Sequence, residues 1–483
     1  MKNIFKSVTS RLQPKAEKRA GEPPAENPLG TQPIGKLMLK FAIPAIASSL
    51  INAVYNITDQ IFIGQSVGYL GNAATNIEFP IATFCTAVTI MLGVGGASNF
   101  NLCLGAGKKD EASRIVATSV SLLAILGICI GVITLIFTDS LMNAFGATEQ
   151  IFPYAVTYTR IIACGIPFVI FASGCTYIIR ADGSPTYSML TIASGGVLNM
   201  ILDPIFIFVF NMGIAGAAIA TVISQIVSFL FALRYMFRFK NAKLAGIIPH
   251  LKATCTKAIA KLGAPSFLNH FMMMIVQITM NNMLRKYGAA SIYGTDIPIA
   301  VVGVIAKLNI IVIAFNVGTS QGCQPIYGFN FGAKNYTRVK STYKRAALVV
   351  IIISTIIFGC FQLFPRQIVS IFGTGSELYF HFAERYMRIY MMLVCLFGLQ
   401  PLTAGFFTSI GKAYKGLFIT ITRQGLFLLP MLLILPRIMG LDGIVYAGPI
   451  SDGVAILIAI IFIVVEFQII TKLEKAQSLE NKE

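Results

Sequence analysis

Gly213-Ile-Ala-Gly216-Ala-Ala-Ile-Ala-Thr221-Val-Ile-Ser224 returns in outline late in the chain as Gly440-Leu-Asp-Gly443-Ile-Val-Tyr-Ala447-Gly448-Pro-Ile-Ser451. Both stretches open on a Gly-x-x-Gly and run on into long apolar segments. Further anchors lie outside them in the same order. Lys40, Pro44 and Ile57-Thr58 match Lys261, Pro265 and Ile278-Thr279 at identical internal spacing. Tyr158-x-Arg160-Ile161 with Gly183 matches Tyr386-x-Arg388-Ile389 with Gly411, and Gly105-Ala106 matches Gly332-Ala333. Four independent anchors at nearly one offset read as one unit written twice.

The unit is a membrane unit. Of 483 residues, 55% are hydrophobic and 12% charged, against roughly 25% charged in an average soluble domain. A helical span needs about 20 mostly apolar residues. Twelve segments qualify, at 37–64, 73–104, 112–137, 150–179, 185–209, 213–237, 258–286, 298–322, 344–364, 378–411, 414–435 and 440–470. The expected fold is an all-α integral membrane protein with twelve transmembrane helices in two six-helix repeats. Residues 1–36 read as an N-terminal tail, 37–237 as the first lobe, 238–257 as a linker, 258–470 as the second lobe and 471–483 as a C-terminal tail.

The net charge of +18 is distributed by topology rather than gathered into a nucleic-acid-binding face. An even number of spans puts both termini on one side, and most Lys and Arg fall on that side. The positive-inside rule then places both termini in the cytoplasm, and a short basic tail without a targeting signal suits a multi-pass protein of the plasma (inner) membrane. The linker, with Arg238, Lys240, Lys243, Lys252 and Lys257, reads as resting on anionic headgroups. The nine cysteines are scattered without a Cys-x-x-Cys pair, and His250, His270 and His381 are isolated from one another. No cofactor or resident metal is expected. Gly105-Ala106-Gly107-Lys108-Lys109 imitates the end of a phosphate loop but has Leu102 where the first glycine should stand and no Ser or Thr after the lysine, so it reads as a tight turn.

Ionisable residues within spans carry the functional signal. A carboxylate at the bilayer centre costs about 2.5–3.5 kcal/mol on insertion scales, and such groups usually face a cavity. Asp59 in span 1 and Asp203 in span 5 stand out. Asn199 lies one turn before Asp203 on the same face, and Pro204 strips a nearby backbone carbonyl of its donor. Thr221 in span 6 adds a hydroxyl. These oxygens suit a small hard cation or a shared proton, so a transient Na⁺ at Asp59, Asn199 and Asp203 is one expectation. Asn52 and Asn56 extend the polar stripe of span 1. With Met273, Gln277 and Met280 of span 7 they are candidate cavity residues, and Pro44 and Pro204 are candidate kinks or gates. The repeat supplies a control: Asp59, Thr221 and Asp203 fall on Met280, Gly448 and Leu429. The helix framework is duplicated while the acids are not. Arg160 and Arg388, present in both halves, read as structural charges. Glu78 reads as a solvated residue at the mouth of span 2. Lys307, Arg423 and Asp452 form a candidate cluster that serves either ion pairing or substrate binding.

These residues resemble the multidrug and toxic compound extrusion (MATE) family of secondary transporters. The resemblance runs from about residue 35 to 470. It rests on Asn56-Ile-Thr-Asp59-Gln-Ile-Phe-Ile-Gly64, Ala181-Asp182-Gly183, Asn199-Met-Ile-Leu-Asp203-Pro204, the stretch from Gly213 to Thr221, and Gln324-Pro325 with Gly328-x-Asn330-x-Gly332-Ala333. It implies two six-helix lobes forming a V around a central cavity, and alternating access. It also implies that Asp59, Asn199, Asp203 and Thr221 form the site coupling Na⁺ or H⁺ entry to export of lipophilic, mostly cationic drugs. Relatives with acids in spans 7 and 10 are not matched, because Met272-Met273-Met274 occupies that stretch of span 7. The expected protein is a monomeric antiporter, not an enzyme, with small-molecule and lipid partners. The alternatives are a flippase for a lipid-linked or polysaccharide precursor and, more remotely, a scaffold or receptor.

Overall fold

The computed structural model describes residues 27–480 apart from 68, 146, 148, 242–250, 295 and 371–375. The described residues contain helices and turns and no strand. Among the described residues, eleven helices are long and apolar enough to cross a membrane, and a bent pair counted as one span makes twelve. Spans 1–6 are Ile34–Val67, Tyr69–Gly105, Lys109–Ile136, Phe152–Ala181, Pro185–Val209 and Gly213–Met236. Spans 7–12 are Ala253–Ala289, Asp296–Gly332, Tyr336–Leu363, the pair Glu377–Tyr390 and Val394–Ser409, Ala413–Met439, and Leu441–Glu480.

The duplication read from the sequence is also written in the backbone. Left-handed positions recur at matching places: Gly107 (φ 76°) and Lys334 (57°), Gly183 (83°) and Gly411 (82°), Gly213 (54°) and Gly440 (60°). Such residues close helix ends, and glycine occupies most of them because it has no Cβ to clash. The imitation phosphate loop is therefore one of a pair of tight turns. Short helices Thr138–Ala144 and Pro365–Ser370 also occupy equivalent links, after spans 3 and 9.

Each lobe packs around its own apolar core, but spans 1 and 7 cross over. Leu37, Met38 and Phe41 at the start of span 1 belong to a second-lobe core with Tyr327, Tyr343 and Phe406, while Ile63 near its far end belongs to the first-lobe core. Cys255 and Ile259 at the start of span 7 lie in the first-lobe core, and Val276, Met280 and Leu284 in the second. The backbones meet at glycines, as close helix packing in lipid requires. A Cβ on Gly318 or Gly322 would strike the backbone at Ile46 or Ala42 of span 1, and one on Gly95 would lie 2.1 Å from the Ile259 carbonyl oxygen. Gly105 and Gly332 form a third such contact, against Phe329 and Leu102.

All these close approaches lie in the half of the bundle nearer the chain termini. The first and last described segments share that end: Arg338 donates to the carbonyls of Leu29 and Gln32, and Lys340 pairs with Glu474. The face of span 1 that meets the second lobe through Ala42 and Ile46 continues to Asn56 and Gln60, which are exposed. The face of span 7 that meets the first lobe through Gly263 continues to Gln277 and Asn281, also exposed. The lobes are thus in contact at the terminal end and part toward the far end.

Several elements differ from the sequence reading. Span 10 is bent by 42° rather than continuous. Its chain passes from Met391 to Val394 on i→i+3 bonds, and Pro401 supplies no N–H for the Phe397 carbonyl. The helix of span 12 runs to Glu480, beyond the expected limit of 470. Residues 27–36 are folded rather than a loose tail: Pro28–Thr31 is a short helix whose Leu29 is buried in the second lobe. His250 and Lys243 lie outside the described residues.

Candidate functional site

Spans 1, 5 and 6 bring the sequence-selected polar residues together. Span 5 is α-helical over Pro185–Pro204 and widens into a π-helical turn at Ile205–Val209, closed by Phe210 N–H donating to the Ile205 carbonyl at 3.0 Å. Pro204 has no N–H for the Met200 carbonyl, and π-turns of this kind occur frequently at functional sites. Asp203 sits directly before the break and is fully buried.

Asn199 organises the site. Its Nδ2 donates to Asp203 Oδ1 at 3.0 Å and lies 3.3 Å from Thr221 Oγ1. That leaves Asn199 Oδ1 as an acceptor without a partner, and Asp203 Oδ2 and Asp59 Oδ1 are buried in the same condition. The Asp59 and Asp203 carboxyls are within hydrogen-bonding reach of each other across spans 1 and 5. Two carboxylates cannot both remain ionised at such separation without a counter-charge. Neither acid is ion-paired with Lys, Arg or His among the described residues. A shared proton, or a cation held by these oxygens, removes the conflict. Among the described residues no group of three or more His, Cys, Asp or Glu could hold a metal ion. The donor set is two carboxyls completed by neutral oxygens, which matches a weakly held monovalent ion better than a permanent divalent one.

The remaining predicted residues separate. Asn52 and Asn56 are exposed on span 1, with Asn56 Nδ2 donating to the Asn52 carbonyl at 2.7 Å. Met273 and Gln277 are exposed on span 7, and Gln277 donates to Asn281 Oδ1 at 3.1 Å. Met280 does not line the cavity: it is 5% exposed and packs in the second-lobe core. Span 7 presents several methionines, and burial depends on which side of the helix each falls; Met280 lies toward Val276 and Leu284. Span 1 runs through Pro44 without interruption, and the Ser48 hydroxyl donates to the Pro44 carbonyl at 2.7 Å. Arg160 pairs with Asp139 at 2.9 Å on the surface. Arg388 is exposed and makes no ion pair among the described residues, although its carbonyl accepts from Gln362. The short helix after span 9 carries Arg366 where the first repeat has Asp139, so the second repeat pairs Arg366 with Glu377 instead. His270 is half-buried with Nδ1 on the Ser266 carbonyl, and His381 meets the Tyr293 hydroxyl.

Glu78 is a correction. It is 7% exposed rather than solvated at a mouth. Tyr55 and Tyr158 lie within electrostatic reach of Asp59, Asp203 and Glu78 alike, so the three acids share one region of the first lobe. Its sequence position near a span end concealed this, because the helix of span 2 starts at Tyr69 and carries Glu78 more than two turns inward. Asp182, in the motif Ala181-Asp182-Gly183, holds the linker to the first lobe: its carboxylate accepts from the Tyr235 hydroxyl and from the backbone N–H groups of Lys240 and Asn241. Burial pushes its pKa above the ordinary carboxylate value, while the bonds from Lys240, Tyr235 and Asn241 pull the other way.

In the second lobe, Arg423 donates Nε to Asp452 Oδ1 at 2.6 Å and stacks over Phe397 at 4.5 Å. Arg423 stands on the π-helical turn Thr422–Leu428 of span 11. The side chain of Lys307, the third member of the expected cluster, lies outside the described residues.

The MatE family profile matches residues 44–205 and 265–434, one block in each repeat. The chain therefore belongs to the MATE family and is a secondary transporter, not an enzyme. Among its relatives is the multidrug export protein MepA of Staphylococcus haemolyticus, 29% identical over 453 residues that cover 92% of this chain and 97% of that one. A multidrug resistance MATE transporter solved in an outward-facing conformation shares the fold, with a TM-score of 0.86, 24% identity and coverage of 93% of this chain and 100% of its own. A MOP superfamily transporter from Pyrococcus furiosus, described as having reversed pocket polarity and a different function, superposes with a TM-score of 0.85 at 24% identity over the same 93% of this chain and 100% of its own length.

Proposed function

We propose that the chain is a cation-coupled antiporter that uses H⁺ or Na⁺ entry to export lipophilic, mostly cationic drugs by alternating access. The observation that carries this reading is the pair of carboxyls contributed by spans 1 and 5, with unpartnered oxygens and no ion pair to Lys, Arg or His among the described residues. An ion arriving from the far side neutralises or bridges the pair, turning mutual repulsion into attraction. Span 1 belongs to both lobes, so a shift of its far half against span 5 acts on the contact between them. Coupling requires the ion to bind the two conformations with different affinity.

A cavity with apolar walls, the amides Asn52, Asn56 and Gln277, the thioether of Met273 and nearby acids attracts a lipophilic cation. It releases that cation when the acids are neutralised. Basic residues predominate at the terminal end, which supports a cytoplasmic location for both termini in a bacterial inner membrane. The name of the Staphylococcus relative agrees with a drug as cargo. A phosphate-bearing lipid precursor would call for unpaired cationic groups in the cavity; of the candidates, Arg160 and Arg423 are held by Asp139 and Asp452, and Arg388 is exposed without an ion pair among the described residues.

The test is transport of a fluorescent lipophilic cation by purified protein in vesicles, with a Na⁺ or a pH gradient imposed separately. One gradient should drive transport, and Asp59→Asn or Asp203→Asn should each reduce it by about a hundredfold. Full gradient-driven transport in either variant would falsify the site assignment.

A further inference from the structure

At the terminal end the lobes meet around an arginine that no acid answers among the described residues. Arg180, in the last turn of span 4, is 4% exposed. Its Nη1 donates across the lobe boundary to Gln321 Oε1 of span 8 at 2.8 Å, and the guanidinium lies 5.6 Å from the centre of the Tyr177 ring. Its Nε has no protein acceptor. A cavity of about 10 Å³ adjoins it, lined by Ser98 and Asn101 of span 2, Tyr177, and Gln321 and Gln324 of span 8. That is close to the volume one water molecule needs.

The walls define the occupant. Asn101 commits its Nδ2 to the Ala97 carbonyl at 3.0 Å, so the unpartnered atom is Oδ1, an acceptor. Arg180 Nε–H is an unpartnered donor. A halide accepts from Nε but gives nothing to Oδ1, and a metal cation is repelled by the guanidinium. Water does both. The walls are closely packed in this closed arrangement: a Cβ on Gly93 would strike the Tyr177 ring and the Gly174 carbonyl, and one on Gly328 would lie 2.9 Å from the Asn101 Cβ.

A buried guanidinium gains most from a carboxylate, which offers charge as well as bidentate geometry. Here it has a neutral amide. Closing the lobes strips water from the charge and returns a single direct hydrogen bond, and parting them restores the water. We propose that Arg180, Gln321 and a bridging water form the latch that closes the terminal end, and that the missing acid keeps this latch weak enough to reopen in every cycle. This inference rests on the alternating-access reading above.

Two substitutions at one position pull in opposite directions. Gln321→Glu supplies the missing charge with almost no change of shape and should hold the terminal end shut. Gln321→Met removes the acceptor, leaves the arginine unanswered and should hold it open. Ser98→Cys, on the cavity wall, reports the opening through its rate of modification by a maleimide in protein reconstituted into nanodiscs, read at that site alone by mass spectrometry. Relative to Ser98→Cys alone, Gln321→Glu should slow labelling and Gln321→Met should speed it, each by about tenfold. Equal rates, or shifts in the same direction, overturn the latch. Should Gln321→Met fail to fold, the Gln321→Glu rate decides alone: no slowing refutes the proposal. Labelling is read without drug or ion gradient, so an error in the ion site leaves this result untouched.

Discussion

Among the described residues, the acids buried within spans 1, 2 and 5 of the first lobe have no ion-pair partner, and the second lobe, built on the same helix plan, gives its buried acids cations of their own. Asp59, Asp203 and Glu78 share one region and none of them is ion-paired with Lys or Arg among the described residues. Asp452 is held by Arg423, and the fully buried Glu466 by Lys412 and Lys415. Both lobes carry a π-helical turn beside a proline, Pro204 in span 5 and Pro430 in span 11. The comparison separates scaffold from chemistry. Duplication preserved the turns, the glycine contacts and the broken hydrogen-bond ladders, while charge balance diverged. A lobe that carries its own counter-charges has no need of an ion from outside.

The comparison breaks most visibly at Arg423. Arg423→Met leaves Asp452 buried and unpaired, a loss of about 3–5 kcal/mol. It should appear as a lower midpoint of thermal unfolding in detergent. Adding Asp452→Leu should recover most of it, because two apolar groups replace a pair rather than stranding one member. A double variant as unstable as the single would mean that Asp452 is not the partner that matters.

A smaller effect sharpens the comparison within the first lobe. Thr221 supplies a neutral oxygen 3.3 Å from Asn199 Nδ2. Thr221→Val keeps the shape and removes the oxygen, and it should weaken the coupling ion by about three- to tenfold. The concentration of Na⁺ or H⁺ giving half-maximal transport measures this, and maximal transport should change little. The smallest effect belongs to Arg160. Its side chain and that of Asp139 are 54% and 56% exposed, so Arg160→Met should alter stability by about 0.5 kcal/mol or less. A larger loss by thermal unfolding would give the pair a role beyond the surface.

Much of the site was legible because its residues violate the solvent they sit in. An Asp in an apolar run is conspicuous, and the repeat shows at once that Met280 and Leu429 serve the equivalent positions in the second half. Asn199 was legible through its one-turn spacing to Asp203. Glu78 was not, since the distance of a residue from a span end depends on where the helix begins. Met280 was misplaced for a related reason: methionine is compatible with a cavity wall and with a packed core, and only the neighbours of span 7 choose between them. The break in span 10 left one trace, Pro401, but Pro44 leaves the same trace in a helix that continues.

The sequence by itself determined the membrane class, the twelve spans, the duplication and the uneven distribution of acids. Each follows from local composition or from one stretch matching another. The tertiary structure alone decided that spans 1 and 7 are shared between the lobes, that Asp59 reaches Asp203, and that Arg180 meets an amide rather than an acid. Those facts depend on which helix faces are pressed together across long separations in the chain. Hydropathy in lipid specifies that a helix is buried, but glycine contacts and hydrogen bonds specify against what.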